Sequence, residues 1–373
     1  MAQTHDHETP HRKRPSLARA LMRSAYAASQ FARVGWYAGQ RVLAERAAIG
    51  EDEENSESLL SRLGRGETVP AVGNSLISGI RDLFARDLAN VEAGLYPMPR
   101  DRDGGLPRLI AQARAIFDDL PSANRRRKEQ DGQEVYRQMR ESGEASGLPR
   151  YYLQNFHFQT DGYLSDHSAK LYDAQVESLF VGTANAMRRQ ALVPIARFLE
   201  GRDQREVAMA DIACGTGRFL HMAREAFPRL KLTGIDLSEA YLREARKHLK
   251  RLHPIRLAMG NAEQIPLPDG SQDIVSSIFL FHELPPKVRA IVATEFARVL
   301  KPGGILVFVD SLQIGDTEGY DRILESFPGR FHEPYYDGYI REDLDKLYTN
   351  AGLALVGHTP AFLSKVSVYS KPE

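Results

Sequence analysis

The chain has 373 residues, and its 49 lysines and arginines are balanced by 49 aspartates and glutamates, so no global field draws it to nucleic acid. A composition of 42 % hydrophobic and 26 % charged residues is ordinary for a globular protein, and no apolar run approaches the ~18 residues of a bilayer span. One cysteine, Cys214, excludes an internal disulfide and a cysteine-rich metal site.

Residues 1–14 are polar and carry His5, His7 and His11, the composition of a disordered tail, with weak metal binding by the histidines left open. Residues 16–47 have helical spacing. Leu17, Leu21, Ala28, Phe31, Ala32, Gly35 and Val42 fall on one side of that helix, and Arg19, Arg23, Arg33 and Arg41 on the other. Three readings stay open: a helix docked on its own protein, which is favoured, a basic helix lying on an anionic membrane, or an arginine-rich targeting segment. Glu51 to Glu54 with Glu57 form an acidic, solvated linker. Asn74 is placed to cap a helix carrying Leu76, Ile80, Leu83, Leu88 and Val91, and a further helix spans about Pro107 to Leu120. The basic run Arg125–Lys128 has Glu129 and Asp131 close behind it and reads as a solvated face rather than an RNA contact. Residues 1–150 thus form an N-terminal helical region.

Between Leu148 and Tyr163 five aromatics and His157 alternate with Gln154, Asn155, Gln159 and Asp161, a mixture suited to a pocket wall. The same aromatics would serve equally to bury this segment against a core. Ser165 is placed to cap one helix, and Gly182 separates it from a second, Thr183 to Leu199. Residues 151–204 read as a helical cap.

Val207 to Ala213 is apolar except for Asp211, as in a strand buried on both faces of a parallel sheet. Cys214-Gly215-Thr216-Gly217 is a tight turn, and Arg218 onward is helical until Pro228. Strand, glycine turn and helix set backbone N–H groups beside a cleft. A second strand, Lys231 to Asp236, ends in a carboxylate 19 residues after Gly217, able to accept bonds from both hydroxyls of a ribose. Leu220 stands where a dinucleotide motif needs its third glycine, which weakens a pyrophosphate reading. Asp211 could order an ammonium group.

These residues resemble the class I S-adenosylmethionine-dependent methyltransferases, of the broad small-molecule type that includes ubiquinone- and menaquinone-biosynthesis enzymes. The resemblance covers residues 205–373. Asp211-Ile-Ala-Cys-Gly-Thr-Gly matches the family's acid-x-G-x-G-x-G motif with Ala213 in place of the first glycine, and Asp236 matches its ribose-binding acid. Gly260-Asn-Ala-Glu-Gln-Ile-Pro resembles the motif that meets the adenine edge, with Asn261 in place of the acid. The resemblance implies a Rossmann-like α/β sheet of seven strands in the order 3-2-1-4-5-7-6, the last antiparallel. It also implies S-adenosylmethionine as cofactor, held by Asp211, Ala213, Gly215, Gly217, Asp236, Leu237, Asn261, Ala262 and Phe279. The segment just before the core is expected to close over it.

Further strands are expected at Ile255–Met259, Asp273–Phe281 and Ile305–Val309, with a closing hairpin at Leu353–His358 and Lys365–Ser370. His282 follows the fourth strand at the carboxyl edge where a ligand binds, and with a near-neutral unperturbed pKa it is placed as a base or as a pocket wall. Tyr152, His157, His332 and Tyr336 are expected to converge with it over a substrate. No metal ligand set is expected.

The function expected is methyl transfer to a small, partly apolar acceptor, through oxygen, nitrogen or carbon. Two alternatives stand beside it: an RNA or protein methyltransferase docking through the basic N-terminal region, and a non-catalytic cofactor-binding scaffold. The expected location is the cytoplasm, with peripheral membrane contact through residues 16–47 under the second reading of that helix.

Overall fold

The computed structural model describes residues 17–48, 71–101, 105–143 and 147–373; the histidine-bearing tail and the acidic linker lie outside them. At its centre is strand β1 (Ala208–Ile212), four of whose five residues are buried. Parallel to it run β2 (Lys231–Asp236) on one side, then β3 (Arg256–Met259). On the other side run β4 (Gln272–Ile278) and β5 (Leu300–Ser311), also parallel. The hairpin of β6 (Ala354–Ala361) and β7 (Ser364–Ser370) closes the sheet, with β7 antiparallel to β5. The order is β3-β2-β1-β4-β5-β7-β6, the arrangement implied by the sequence resemblance. β4 stops at Ile278, three residues short of the expected end, because Phe279 takes a left-handed φ of 61° and residues 281–283 form one 3-10 turn.

Helices enter in chain order as α1 (Leu17–Ala48), α2 (Ala71–Glu92), α3 (Gly105–Glu129), α4 (Glu134–Ser142), α5 (Asp166–Leu179), α6 (Ala184–Arg189) and α7 (Leu192–Leu199). After β1 come α8 (Arg218–Ala226), α9 (Glu239–Leu249), α10 (Pro286–Val299), α11 (Asp321–Arg330), α12 (Tyr336–Tyr339) and α13 (Leu344–Asn350). Ile195, Leu220 and Leu242 of α7, α8 and α9 cover one face of the sheet; Phe296 and Tyr348 of α10 and α13, with residues of α11 and α12, cover the other. Burying each such apolar side chain is worth about 1.5–3 kcal/mol. The single helix expected over 183–199 is two, because Pro194 has no N–H for the Gln190 carbonyl one turn back. Ser165 caps α5 by accepting from the Ser168 N–H, as its position suggested.

Among the described residues no helix is long and apolar enough to cross a membrane. α1 docks on its own chain, but not by its apolar side. Tyr26, Gln30, Arg33, Tyr37 and Gln40, spaced at helical intervals, are the buried stripe. Leu17, Leu21 and Phe31 point outward and are 76 %, 62 % and 77 % exposed. Arg33 reaches the Gly182 carbonyl and pairs with Glu177 at 2.6 Å, while Arg41 bonds the Leu179 carbonyl. Both arginines therefore serve the carbonyl end of α5, where the helix dipole favours a cation. The basic run at 125–128 is likewise not a uniformly solvated face. Arg126 is buried, bonded to the Phe158 carbonyl and to Glu134 and Thr160. A buried network joins α2 to α6: Asp87 takes bonds from Arg189, Tyr26 and Tyr96, and Arg189 also pairs with Asp101.

Candidate active site

Chain reversal after β1 opens a cleft at the carboxyl edge of the sheet. Ala213 has φ 59°, Gly215 55° and Gly217 76°, so three of five successive residues are left-handed. A Cβ at Gly215 would meet nothing within 4 Å, because that position faces the cleft. At Gly217 a Cβ would press on Leu249 at 3.0 Å, so this glycine serves helix packing. The cleft is lined by Ala213, Gly215, Asp236, Leu237, Asn261, Ala262 and Phe279 together with Tyr151, Tyr152 and Tyr163. Asp236 accepts the Gly215 N–H at 2.7 Å and the Ser238 N–H at 2.8 Å. Burial raises its carboxyl to about 6 against the lowering effect of those bonds. Two oxygens carry about four acceptor sites, so lone pairs remain for a ligand.

Asp211 stands beneath the cleft rather than in its wall. It is buried on β1 and accepts the Ser276 hydroxyl at 2.6 Å, and burial raises it to about 7. Asn261 Oδ1 accepts the Glu263 N–H with one lone pair, and its amide nitrogen donates to the Glu263 carboxylate. Glu263 supplies an acid two residues on, held by the Tyr151 hydroxyl at 2.7 Å.

The cap is fastened to this corner. Asp173 on α5 accepts from the Thr216 hydroxyl and from Arg218, each at 2.7 Å, and the Ser238 hydroxyl donates to the Tyr163 carbonyl. Tyr163, Tyr172 and Tyr241 meet edge to face.

A second cavity adjoins the first. Val176, Phe180, Leu324, Phe327 and Leu363 make its apolar wall, and His157, His282, Ser311 and Tyr336 its polar end. Tyr172, Phe279 and Glu283 line both cavities and form the partition.

His282 Nδ1 lies 2.6 Å from Asp310 Oδ1 at the end of β5. Asp310 is fully buried and also accepts the backbone N–H groups of Phe281 and Ser311, which leaves His282 Nε2 for the cavity. Burial lowers the imidazole pKa, but Asp310 with Glu333 and Glu283 overrides this and carries it up to about 10. The near-neutral value expected from sequence does not hold, and at pH 7 this ring donates rather than accepts. His157 is opposite in character: burial, with the charges of His282 and His332, lowers it to about 3. Its backbone has φ 55°, a costly conformation for a residue other than glycine. Glu283 accepts the Tyr163 hydroxyl and is raised by burial to about 7, and burial also lifts the fully enclosed Glu333 well above the usual carboxylate range.

Of the five residues expected to converge, His157, His282 and Tyr336 share the second cavity. Tyr152 lines the first. His332 lines neither; its Nε2 bonds Gln154 Oε1 at 2.7 Å and its ring packs on Phe158. Sequence reasoning missed Asp310, Glu283 and Glu333. An acid closing an apolar parallel strand was the available signal for Asp310.

Residues 209–304 match the family described as methyltransferase domain. That match falls on the sheet whose strand order is the one implied by the sequence resemblance to class I S-adenosylmethionine-dependent methyltransferases. Over 129 residues the chain is 38 % identical to a demethylmenaquinone methyltransferase of Listeria welshimeri, a match covering 34 % of this chain and 53 % of the relative. Over 100 residues it is 38 % identical to the malonyl-[acyl-carrier protein] O-methyltransferase of Methylococcus capsulatus, covering 27 % and 36 %. The chain thus spans about half the length of the first of these relatives. A solved protein of Pyrococcus horikoshii aligns at 20 % identity and a TM-score of 0.40, over 61 % of this chain and 100 % of that one.

The residues of the first cleft are of the kinds that suit a nucleoside. Asp236 offers buried acceptors for ribose hydroxyls, Gly215 leaves space that a Cβ would fill, and Leu237, Ala262 and Tyr151 make flat apolar walls for a base.

Proposed function

We propose that this methyltransferase domain methylates a small, partly apolar acceptor held in the second cavity. The observation that carries this reading is the shared partition. Tyr172, Phe279 and Glu283 belong to both the cofactor cleft and an apolar cavity with a polar end. S-adenosylmethionine supplies an activated methyl group, so the protein's main task is alignment. Asp236, Gly215 and Leu237 hold the nucleoside; Val176, Phe180 and Phe327 take up apolar area and exclude water. His282, locked by Asp310, directs Nε2 at the acceptor's polar group and holds it at the partition.

A small molecule is favoured over RNA or protein because several of the basic residues that would dock such a partner are engaged within the chain: Arg33 with Glu177, Arg126 with Glu134 and Arg125 with Glu129 and Glu134.

Calorimetry tests the cofactor half. Asp236→Ala should weaken S-adenosylmethionine binding by about 1.5–3 kcal/mol, the loss of hydrogen bonds to a charged acceptor. Unchanged affinity would remove Asp236 from the site. Incubating a small-molecule extract with methyl-labelled cofactor tests the acceptor half, with label expected in a low-mass product. Label found only in macromolecules would overturn it.

A further inference from the structure

Beside the partition, His157, Glu283 and Glu333 come together from the cap, the turn after β4 and the segment before α12, and one donor atom of each lies within 4.8 Å of the others. We infer that these three side chains form a divalent-cation site facing the acceptor cavity, a site that deepens the proposed function and rests on it only for the acceptor's part. Glu333 is the strongest pointer. Its side chain is fully enclosed, and neither carboxylate oxygen has a hydrogen-bond donor. His157 Nε2 lies 3.0 Å from Glu333 Oε1, yet outside hydrogen-bond geometry. A buried carboxylate in that condition is costly unless something positive meets it. Two metal bonds of about 2.1 Å meeting near 90° place their donors about 3 Å apart, so the His157–Glu333 spacing accommodates a shared ion, and the missing hydrogen-bond geometry at that distance is what favours one.

The surroundings agree with this assignment. Left-handed backbone at His157 sets its ring between Phe327 and Phe331 and toward the carboxylates. Tyr163 donates to one oxygen of Glu283, the kind of outer contact that orients a metal ligand. His282 is the cationic side chain in the cavity wall: Asp310 holds its Nδ1, Nε2 stands 3.8 Å from Glu283 Oε1, and its charge reaches Glu333 without bonding it. One imidazole and two carboxylates suit Mn²⁺ or Zn²⁺ better than a soft ion, and three protein ligands leave coordination positions open to an acceptor oxygen. When bound, such an ion would supply Lewis-acid polarisation of that oxygen; the protein's part is to fix the three donors next to the partition.

The test uses the full chain with His5, His7 and His11 changed to alanine, which removes the histidine tail as a competing chelator. After chelator treatment, Mn²⁺ binding is followed by electron paramagnetic resonance and Zn²⁺ binding by calorimetry, with S-adenosylmethionine affinity measured on the same samples. We expect one ion per chain. Affinity should fall at least tenfold in each of Glu333→Gln and His157→Gln and stay unchanged in His253→Ala. Mn²⁺ should raise the melting temperature of the parent and not of the two variants. If the parent binds neither ion, or Glu333→Gln keeps its affinity, the site is wrong and Glu333 is a protonated partner of His157. Should Glu333→Gln fail to fold, Glu283→Gln with the parent's stoichiometry decides by the same criteria. Loss of cofactor binding with metal binding intact would instead strike the methyltransferase reading and leave the cation site standing.

Discussion

Asp211 keeps its carboxyl group against the Ser276 hydroxyl inside β1, where burial lifts it from the usual value near 4 to about 7. The folded chain therefore retains a proton there that the unfolded chain has released. Its contribution to stability is fully present below pH ~4 and is lost as pH rises through about 7, a change worth up to ~4 kcal/mol. Asp211→Asn cannot ionise, so its melting temperature should exceed that of wild type at pH 8 and converge with it near pH 4. Parallel curves across that range would contradict the protonated carboxyl. His282→Ala should lower turnover by ~10²-fold or more while cofactor affinity holds, as expected for loss of an oriented group at the reacting centre. A loss below threefold would reduce His282 to a wall. At this scale the sequence disclosed what lies in local motifs: Gly215, Asp236, and His282 at a strand end. It could not disclose that His282 is bound to Asp310 28 residues on, or that His157 turns through a left-handed backbone toward Glu333. Such pairings depend on φ angles and on elements that sequence spacing does not relate.

α1 shows why periodicity misdirects at the level of an element. Hydrophobic spacing ranks arginine as the solvent face, yet Arg33 is buried beside Glu177 while Leu17, Leu21 and Phe31 stand in solvent. Leu17, Leu21 and Phe31 form an exposed apolar stripe of the kind that can lie in a membrane interface, with Arg23 on the opposite side paired to Glu92. Full-length protein is expected to sediment with anionic vesicles. Leu21→Ser with Phe31→Ser should reduce that binding several-fold at unchanged melting temperature, since both side chains point away from the fold. Vesicle binding that persists in the double variant would discard α1 as the anchor. Below α1, Asp87→Ala would strip Arg189, Tyr26 and Tyr96 of their common acceptor. Breaking one side of a buried pair costs about 3–5 kcal/mol, which urea unfolding would register as a lower midpoint. A midpoint shift equivalent to less than 1 kcal/mol would mean that the N-terminal helices dock by other contacts.

Over the whole molecule the strands were readable as apolar runs each followed by a turn, a helix or an acid, while their order in the sheet was legible only through the resemblance to a known family. The second cavity was not, since its walls come from α5, the β4 turn and α11, joined only after the sheet exists. The two bonds that Asp173 accepts from Thr216 and Arg218 lie at the junction of these parts, tying cap to glycine turn. Were a guest to pass beneath the cap, those two bonds would have to part first, and their opening would be one step of every round.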